Sequence, residues 1–195
     1  MDLEQGLASS HKKKEGQSRR LWIVILLLGA VIVVAAFAAS IFPMTPKSAA
    51  VNFTSFLIIE VHSVTNETQV RCVYPQTDVG VPGGYWGNHT YDRDGLDNNY
   101  PVYAYLPTNV SCPNALPIDV KSTAARDYTM GDFFSMWSEP IGPNNTIGIQ
   151  NSSTMFWVMC KGPSVQTLQP ANWAQEVLAT NQTYILAYTR TAGCH

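Results

Sequence analysis

Three aspartates and a histidine, His89, Asp92, Asp94 and Asp97, crowd into the stretch GNHTYDRDGLDNN (Gly87–Asn99). Closely spaced carboxylates beside a glycine are the donor type that calcium prefers, since it takes about six to eight oxygen ligands. The EF-hand pattern fails here, because it needs oxygens at its first, third, fifth and twelfth places and glycine at its sixth. Counted from Asp92, Asp94 is third, but Gly95 is fourth, Leu96 fifth and Asp97 sixth, and no carboxylate stands twelfth. Two readings remain. One is an irregular calcium site on Asp92, Asp94 and Asp97, or half a transition-metal site on His89 and Asp92. The other, which we expect, is a solvated turn without a cofactor, since Asp-Gly and Asn-Asn are ordinary turn formers.

Other chemistry is sparse. His62, His89 and His195 show no ligand-like spacing, and no Gly-x-Ser-x-Gly elbow, phosphate loop or dinucleotide fingerprint occurs. The chain is therefore expected not to be an enzyme. Cys72, Cys112, Cys160 and Cys194 are too widely spaced for zinc or haem motifs and suit two disulfides, with three possible connectivities. The aromatic residues Trp86, Tyr91, Tyr100, Tyr103 and Tyr105 gather around the acidic loop, and such residues favour protein interfaces. An interaction surface is expected there.

The elements that position these residues begin with Leu21–Phe42, 22 residues without a charge. A bilayer-spanning helix needs about 20. Basic residues precede this stretch (Lys12–Lys14, Arg19, Arg20) and Lys47 alone follows closely, so the positive-inside rule puts residues 1–20 in the cytoplasm and 43–195 outside. A signal peptide cut after Ala36-Phe-Ala38 is the rival, though its apolar core would be shorter, about 7–15 residues. The division expected is a basic tail (1–20), a transmembrane anchor (21–42), a spacer (43–52) and a disulfide-stabilised extracytoplasmic domain (53–195).

Seven of the twelve asparagines stand in glycosylation triplets: Asn52, Asn66, Asn88, Asn109, Asn144, Asn151 and Asn181. If used, each marks a surface position of an exported domain. The outer portion holds eleven acids and seven Lys or Arg residues without a basic patch, which argues against nucleic acid as a partner.

Within that portion, Phe56–Val61 and Gln69–Tyr74 flank a polar turn and predict a β-hairpin. Tyr100–Leu106, Leu116–Ser122, Ser153–Cys160 and Thr183–Thr189 read as strands. Thr129 followed by Asp132 forms a capping box for a short helix through Trp137, with Phe133, Phe134, Met136 and Trp137 as a core face. Ala171–Leu178 predicts a helical turn. The fold class is α+β, an antiparallel or mixed sheet with one or two short helices, a β-grasp-like sheet being one form of it.

The segment RDYTMGDFFSMW (Arg126–Trp137), preceded by IDVKST (Ile118–Thr123), resembles an "HVES…RDYTLGDFF.VWG" pattern. That pattern belongs to a family of small membrane-anchored extracytoplasmic domains of archaea, ammonia-oxidising archaea especially. Val81–Tyr105 is similar to the family's proline-glycine turn, loop and following strand. Family members carry an "H-x-H" before the first strand and an "HTHD" after the loop, which the resemblance marks as copper or zinc ligands. Here those places hold VNFTSF (Val51–Phe56) and VYAYL (Val102–Leu106), so no ligand carries over. The function expected is interaction with an envelope or membrane protein, as an accessory part of a complex. Alternatives are an extracytoplasmic copper- or calcium-binding protein and a type II viral or eukaryotic surface glycoprotein.

Overall fold

The computed structural model describes residues 48–108, 112 and 114–194. The expected tail, the anchor Leu21–Phe42, the first half of the spacer, Asn109 and His195 lie outside these residues. Among the described residues no helix is long and apolar enough to cross a membrane.

The backbone of the domain is Val51–His62 (β1), twelve residues rich in branched side chains. It takes in Val51 and Asn52, which the expected spacer had included. Its side chains alternate, as a strand's must. Leu57 and Ile59 enter the main core, whereas Ile58, Glu60 and His62 point to the opposite face. Val70–Cys72 (β2) returns antiparallel on one edge, with Glu60 opposite Cys72, so the expected hairpin forms. Further along the same edge Leu116–Ser122 (β4) pairs antiparallel from Val51↔Ser122 to Leu57↔Leu116. On the other edge Thr183–Thr189 (β9) runs parallel to β1.

Phe156–Gly162 (β7) pairs antiparallel with β9, and Gln169–Pro170 (β8) with β7. Val102–Tyr103 (β3) closes the far edge against β4. The result is a mixed sheet in the order β3-β4-β1-β9-β7-β8, with β2 branching from β1. Asn145–Thr146 (β5) and Ile149–Gln150 (β6) form a separate hairpin. Its two loop residues, Ile147 and Gly148, both have positive φ (49° and 74°), as a type I′ turn requires. Nothing in the sequence announces this hairpin, because an isoleucine occupies a place that normally takes Asn or Asp.

The α-helix is Met130–Trp137 (α1). Thr129 Oγ1 accepts from the Asp132 N–H at 3.2 Å, and Asp132 Oδ2 accepts from the Thr129 N–H at 2.8 Å, which completes the expected capping box. Ser138 ends the helix in the left-handed region (φ 63°), its N–H returning to Phe134 and Ser135 carbonyls. Met130, Phe133, Phe134, Met136 and Trp137 are buried against the sheet residues Leu57, Ile59, Trp157 and Leu186. Full burial of each such side chain stabilises by about 1.5–3 kcal/mol. Gly131 is required by a close approach, since a Cβ there would lie 2.7 Å from the Ala174 carbonyl oxygen.

Two expected strands are shorter or shifted. Tyr100–Leu106 yields only β3, because Pro101 has no N–H while the Tyr100 and Leu106 amides bond to Gly80 O and Asp78 Oδ1. Ser153–Cys160 begins late, at Phe156, because Ser152 Oγ holds the Thr154 and Met155 amides in a turn. The helical turn expected over Ala171–Leu178 is a 3-10 turn at Trp173–Gln175. The chain described is thus a small α+β domain with a mixed sheet and one α-helix. Disulfides join Cys72 to Cys112 and Cys160 to Cys194, sequential in the chain, which suits an oxidising compartment.

Candidate functional site

The loop between β2 and β3 is held against α1 rather than free. Gly87 N–H donates to the Met136 carbonyl near the helix C-terminus at 2.9 Å, and Asn88 Nδ2 donates to Ser135 Oγ at 3.0 Å. A Cβ on Gly87 would meet Ser138 Oγ at 2.1 Å, so glycine permits this docking. Asp92–Asp94 then form a single 3-10 turn. Gly95 lets the chain fold back, since a Cβ there would stand 1.9 Å from the Asn99 carbonyl oxygen.

This geometry separates the acids. Asp92 spends both oxygens locally, Oδ1 on the Trp86 Nε1–H at 3.0 Å and Oδ2 on His89 Nδ1 at 2.8 Å. Asp97 turns to Lys121 and forms an ion pair. Asp94 serves through its backbone carbonyl, which accepts from Ser122 Oγ and from the Thr123 amide. The structure thus sends Asp92, Asp94 and Asp97, weighed as a calcium site, to different partners, and leaves His89 with Asp92, weighed as half a transition-metal site, as a hydrogen-bonded pair. Among the described residues no three of His, Cys, Asp and Glu converge as a metal requires. What Asp92 builds instead is an aromatic shelf. It ties Trp86 and His89 so that their rings stack, 18° apart in plane and 6.3 Å between centroids, with the His89 side chain 71% exposed.

The expected aromatic surface is also corrected in part. Tyr100 and Tyr103 are buried, and Tyr100 belongs to the core through packing against Trp86 and Tyr91. Burial, with the nearby Asp132 carboxylate, pushes the Tyr100 hydroxyl well above its ordinary value. Trp86 and Tyr91 are half-buried, and Tyr105 is 50% exposed. Val102 and Ala104 alternate into the main core, while the rings of Tyr103 and Tyr105 pack on each other outside it, 5.6 Å between centroids.

The segment Arg126–Trp137 has a structural account at nearly every position. Arg126 lies over Tyr91 at 3.5 Å and Tyr128 at 4.7 Å, and its Nη2 reaches Asp132 at 3.4 Å. Tyr128 is buried with its hydroxyl on Ser122 Oγ, Thr129 and Asp132 cap α1, and both phenylalanines are core. These residues knit the loop, β4 and α1 together.

Of the glycosylation triplets, Asn52, Asn66, Asn144, Asn151 and Asn181 are exposed, and Asn88 is half-buried with its Nδ2 engaged by Ser135. At both Asn66 and Asn88 the side-chain oxygen accepts from the amide and the hydroxyl of the triplet's threonine.

One feature escaped the sequence reading. On the sheet face away from α1 lies a trough of about 640 Å³, floored by Ile58, Val158, Ile185 and Ala187. Its signal is the alternation of β1, which places Glu60 and His62 on the same face as Ile58. Thr191, Gly193 and Cys194 close one side, fastened by Cys160–Cys194 and by Glu67. Glu67 Oε1 accepts from Thr189 Oγ1 (2.9 Å), the Arg190 amide (3.2 Å) and Thr191 Oγ1 (3.2 Å).

Those bonds, the Thr189 hydroxyl first, hold the Glu67 carboxyl below its ordinary value of 4.5. A depressed pKa means the folded state binds fewer protons than the unfolded one, so stability falls as pH falls. The clasp is expected to be complete above about pH 4.5 and lost as pH drops through the lower folded value. Amide exchange at Arg190 and Thr191 should accelerate over that window, and in Glu67→Gln the acceleration should no longer depend on pH there.

No known family model, curated protein or solved structure matches the chain. The described part is thereby defined by its own architecture, a disulfide-closed α+β domain bearing an aromatic shelf and a trough on the opposite sheet face.

Proposed function

We propose that the chain is a single-pass membrane protein displaying a glycosylated extracytoplasmic domain that binds a partner protein in the cell envelope, as an accessory component of a membrane complex. The observation that carries this reading is the Trp86–His89–Asp92 shelf. A ring stack fixed by hydrogen bonds, its His89 exposed and its Trp86 half-buried, is ordered before contact, so docking on it costs little side-chain entropy. Tryptophan is the residue type most enriched among interface residues that carry large binding energies. The 22 uncharged residues of Leu21–Phe42 and their basic flank support the anchor, which would raise the local concentration of the domain near a membrane partner. Five exposed triplets support glycosylation.

The finer fold reading is β-grasp-like. It is supported by a parallel central pair, β1 and β9, flanked by antiparallel β4 and β7 with α1 between those two in the chain. The likeness of Arg126–Trp137 to the archaeal family accords with the structural employment of that segment. Kinship of this kind would be of fold rather than of metal chemistry.

The test is a photo-reactive residue in place of His89 in the native full-length protein, cross-linked in membranes and analysed by mass spectrometry. One dominant adduct is expected, and Trp86→Ala should weaken its formation at least tenfold with the unfolding midpoint preserved to within a few degrees. Absence of any adduct, together with migration of the native protein as a lone monomer, would defeat the proposal.

A further inference from the structure

The trough behind the sheet has walls and ends of different character. Its floor and one wall are apolar: Ile58, Val158, Ile185 and Ala187 below, Val165 and Leu168 to the side. Ile58 and Ile185 are buried although they lie outside the main core. The volume, about 640 Å³, falls among those of small-molecule sites, which run from about 300 to 1,000 Å³.

One end is polar and acidic. No lysine or arginine lines the cavity, while Glu60 and Glu67 do. Glu67 is occupied by the clasp and lies beside Arg190, whose charge partly offsets its own. Glu60 has no lysine or arginine against it among the lining residues, and the group beside it is the His62 imidazole.

His62 completes the arrangement. Its Nδ1 lies 2.9 Å from the Glu67 backbone carbonyl, which only accepts, so Nδ1 carries the proton. In the neutral imidazole Nε2 is then an acceptor, and it faces Glu60 Oε2 at 3.6 Å, too far for a direct hydrogen bond. With the ring neutral, two acceptors confront each other across a gap at the head of an apolar trough. An ammonium nitrogen about 2.8 Å from each would donate to both. A transition metal would need about three protein ligands, and no third donor converges with these two among the described residues.

We infer that the trough is a binding site for a small organic cation with an apolar body, its ammonium held between Glu60 and His62. The apolar part lies along Ile58, Val158, Ile185 and Ala187, and the carboxylate selects the sign of the head group. The site is on the sheet face and does not depend on the partner surface proposed above.

Two probes of one shape and opposite charge test it: 4-phenylbutylammonium and 4-phenylbutyrate, offered to the full chain in phosphatidylcholine nanodiscs, with empty nanodiscs as baseline. Calorimetry and saturation-transfer NMR should show the ammonium binding above baseline and the carboxylate not. Glu60→Gln, which keeps the shape, should weaken the ammonium about tenfold, the loss expected for a charged hydrogen-bond acceptor. Ala187→Phe, which fills the floor, should abolish binding; if it also lowers the unfolding midpoint, Glu60→Gln alone decides. Equal binding of the two probes, no binding above baseline, or an affinity unmoved by Glu60→Gln would overturn the inference.

Discussion

Removing either disulfide is expected to lower the unfolding midpoint of the domain by roughly 10 °C. The bridges Cys72–Cys112 and Cys160–Cys194 close loops with sequence separations of 40 and 34. Chain-entropy arithmetic for loops of that size gives about 4 kcal/mol of stabilisation each. A domain of roughly 150 residues shifts by about 2–4 °C per kcal/mol. Thermal unfolding followed by circular dichroism, for Cys72→Ser with Cys112→Ser and for Cys160→Ser with Cys194→Ser, measures each effect.

Loop entropy depends only logarithmically on length, so the two pairs should differ by no more than a few tenths of a kcal/mol. A larger difference would report what each bridge holds locally. The second bridge fastens the chain's end beside the trough, where Glu67 already binds Thr189 and Thr191. Part of that segment should therefore stay in place without Cys160–Cys194. Beside the first bridge the Tyr74 hydroxyl donates to the Asn114 carbonyl at 2.6 Å, one bond against the three that Glu67 accepts, and Cys72→Ser with Cys112→Ser is the variant expected to suffer more. Equal midpoints for both variants and the unchanged chain would show that neither bridge constrains the unfolded ensemble as proposed.

How much of this was legible in the sequence depends on the range of the contacts. β4 and β9 fall where the sequence places them, β4 by its alternation of buried and outward residues and β9 as a continuous run of β-forming residues enclosed between β1 and β7. α1 is marked by its own cap, Thr129 and Asp132, a contact spanning three residues. Short strands escaped because their pairing is set by distant partners. β8 exists only where Gln169 and Pro170 meet Lys161 and Cys160, and β5–β6 turns on an isoleucine with positive φ.

The acidic loop was misleading for a related reason. Spacing in sequence says that Asp92, Asp94 and Asp97 are near one another but not where they point, and Lys121 draws Asp97 away. The trough was invisible because its floor comes from β1, β7 and β9, with Ile58 and Ile185 separated by 185 − 58 = 127 positions. Only the strand order makes Ile58, Val158 and Ile185 neighbours.

Trp157→Ala is expected to destabilise the domain by about 3–5 kcal/mol, the range for deleting a large buried aromatic. Trp157 is buried on β7 and its ring packs on Tyr188 with centroids 5.3 Å apart. The same residue fastens the β5–β6 hairpin to the sheet. Its Nε1–H donates to the Ile149 carbonyl at 2.8 Å and its amide to Asn151 Oδ1 at 3.1 Å, while the Tyr188 hydroxyl donates to the Gln150 carbonyl at 3.0 Å. Trp157→Phe keeps most of the ring and removes the indole N–H from the Ile149 carbonyl, so it should cost less, about 1–3 kcal/mol. Amides of residues 145–151 should exchange faster in both variants, since the hairpin loses its bond to the indole in each. Asn151 is also a glycosylation triplet, and its Nδ2 donates to the Pro143 carbonyl at 3.0 Å. A sugar on Nδ2 would leave Oδ1 free to hold the Trp157 amide. Ser153→Ala deletes the triplet and keeps that bond, whereas Asn151→Ala removes both. Destabilisation in Asn151→Ala without any in Ser153→Ala would assign the loss to the hairpin's attachment, and equal losses in both would assign it to the sugar.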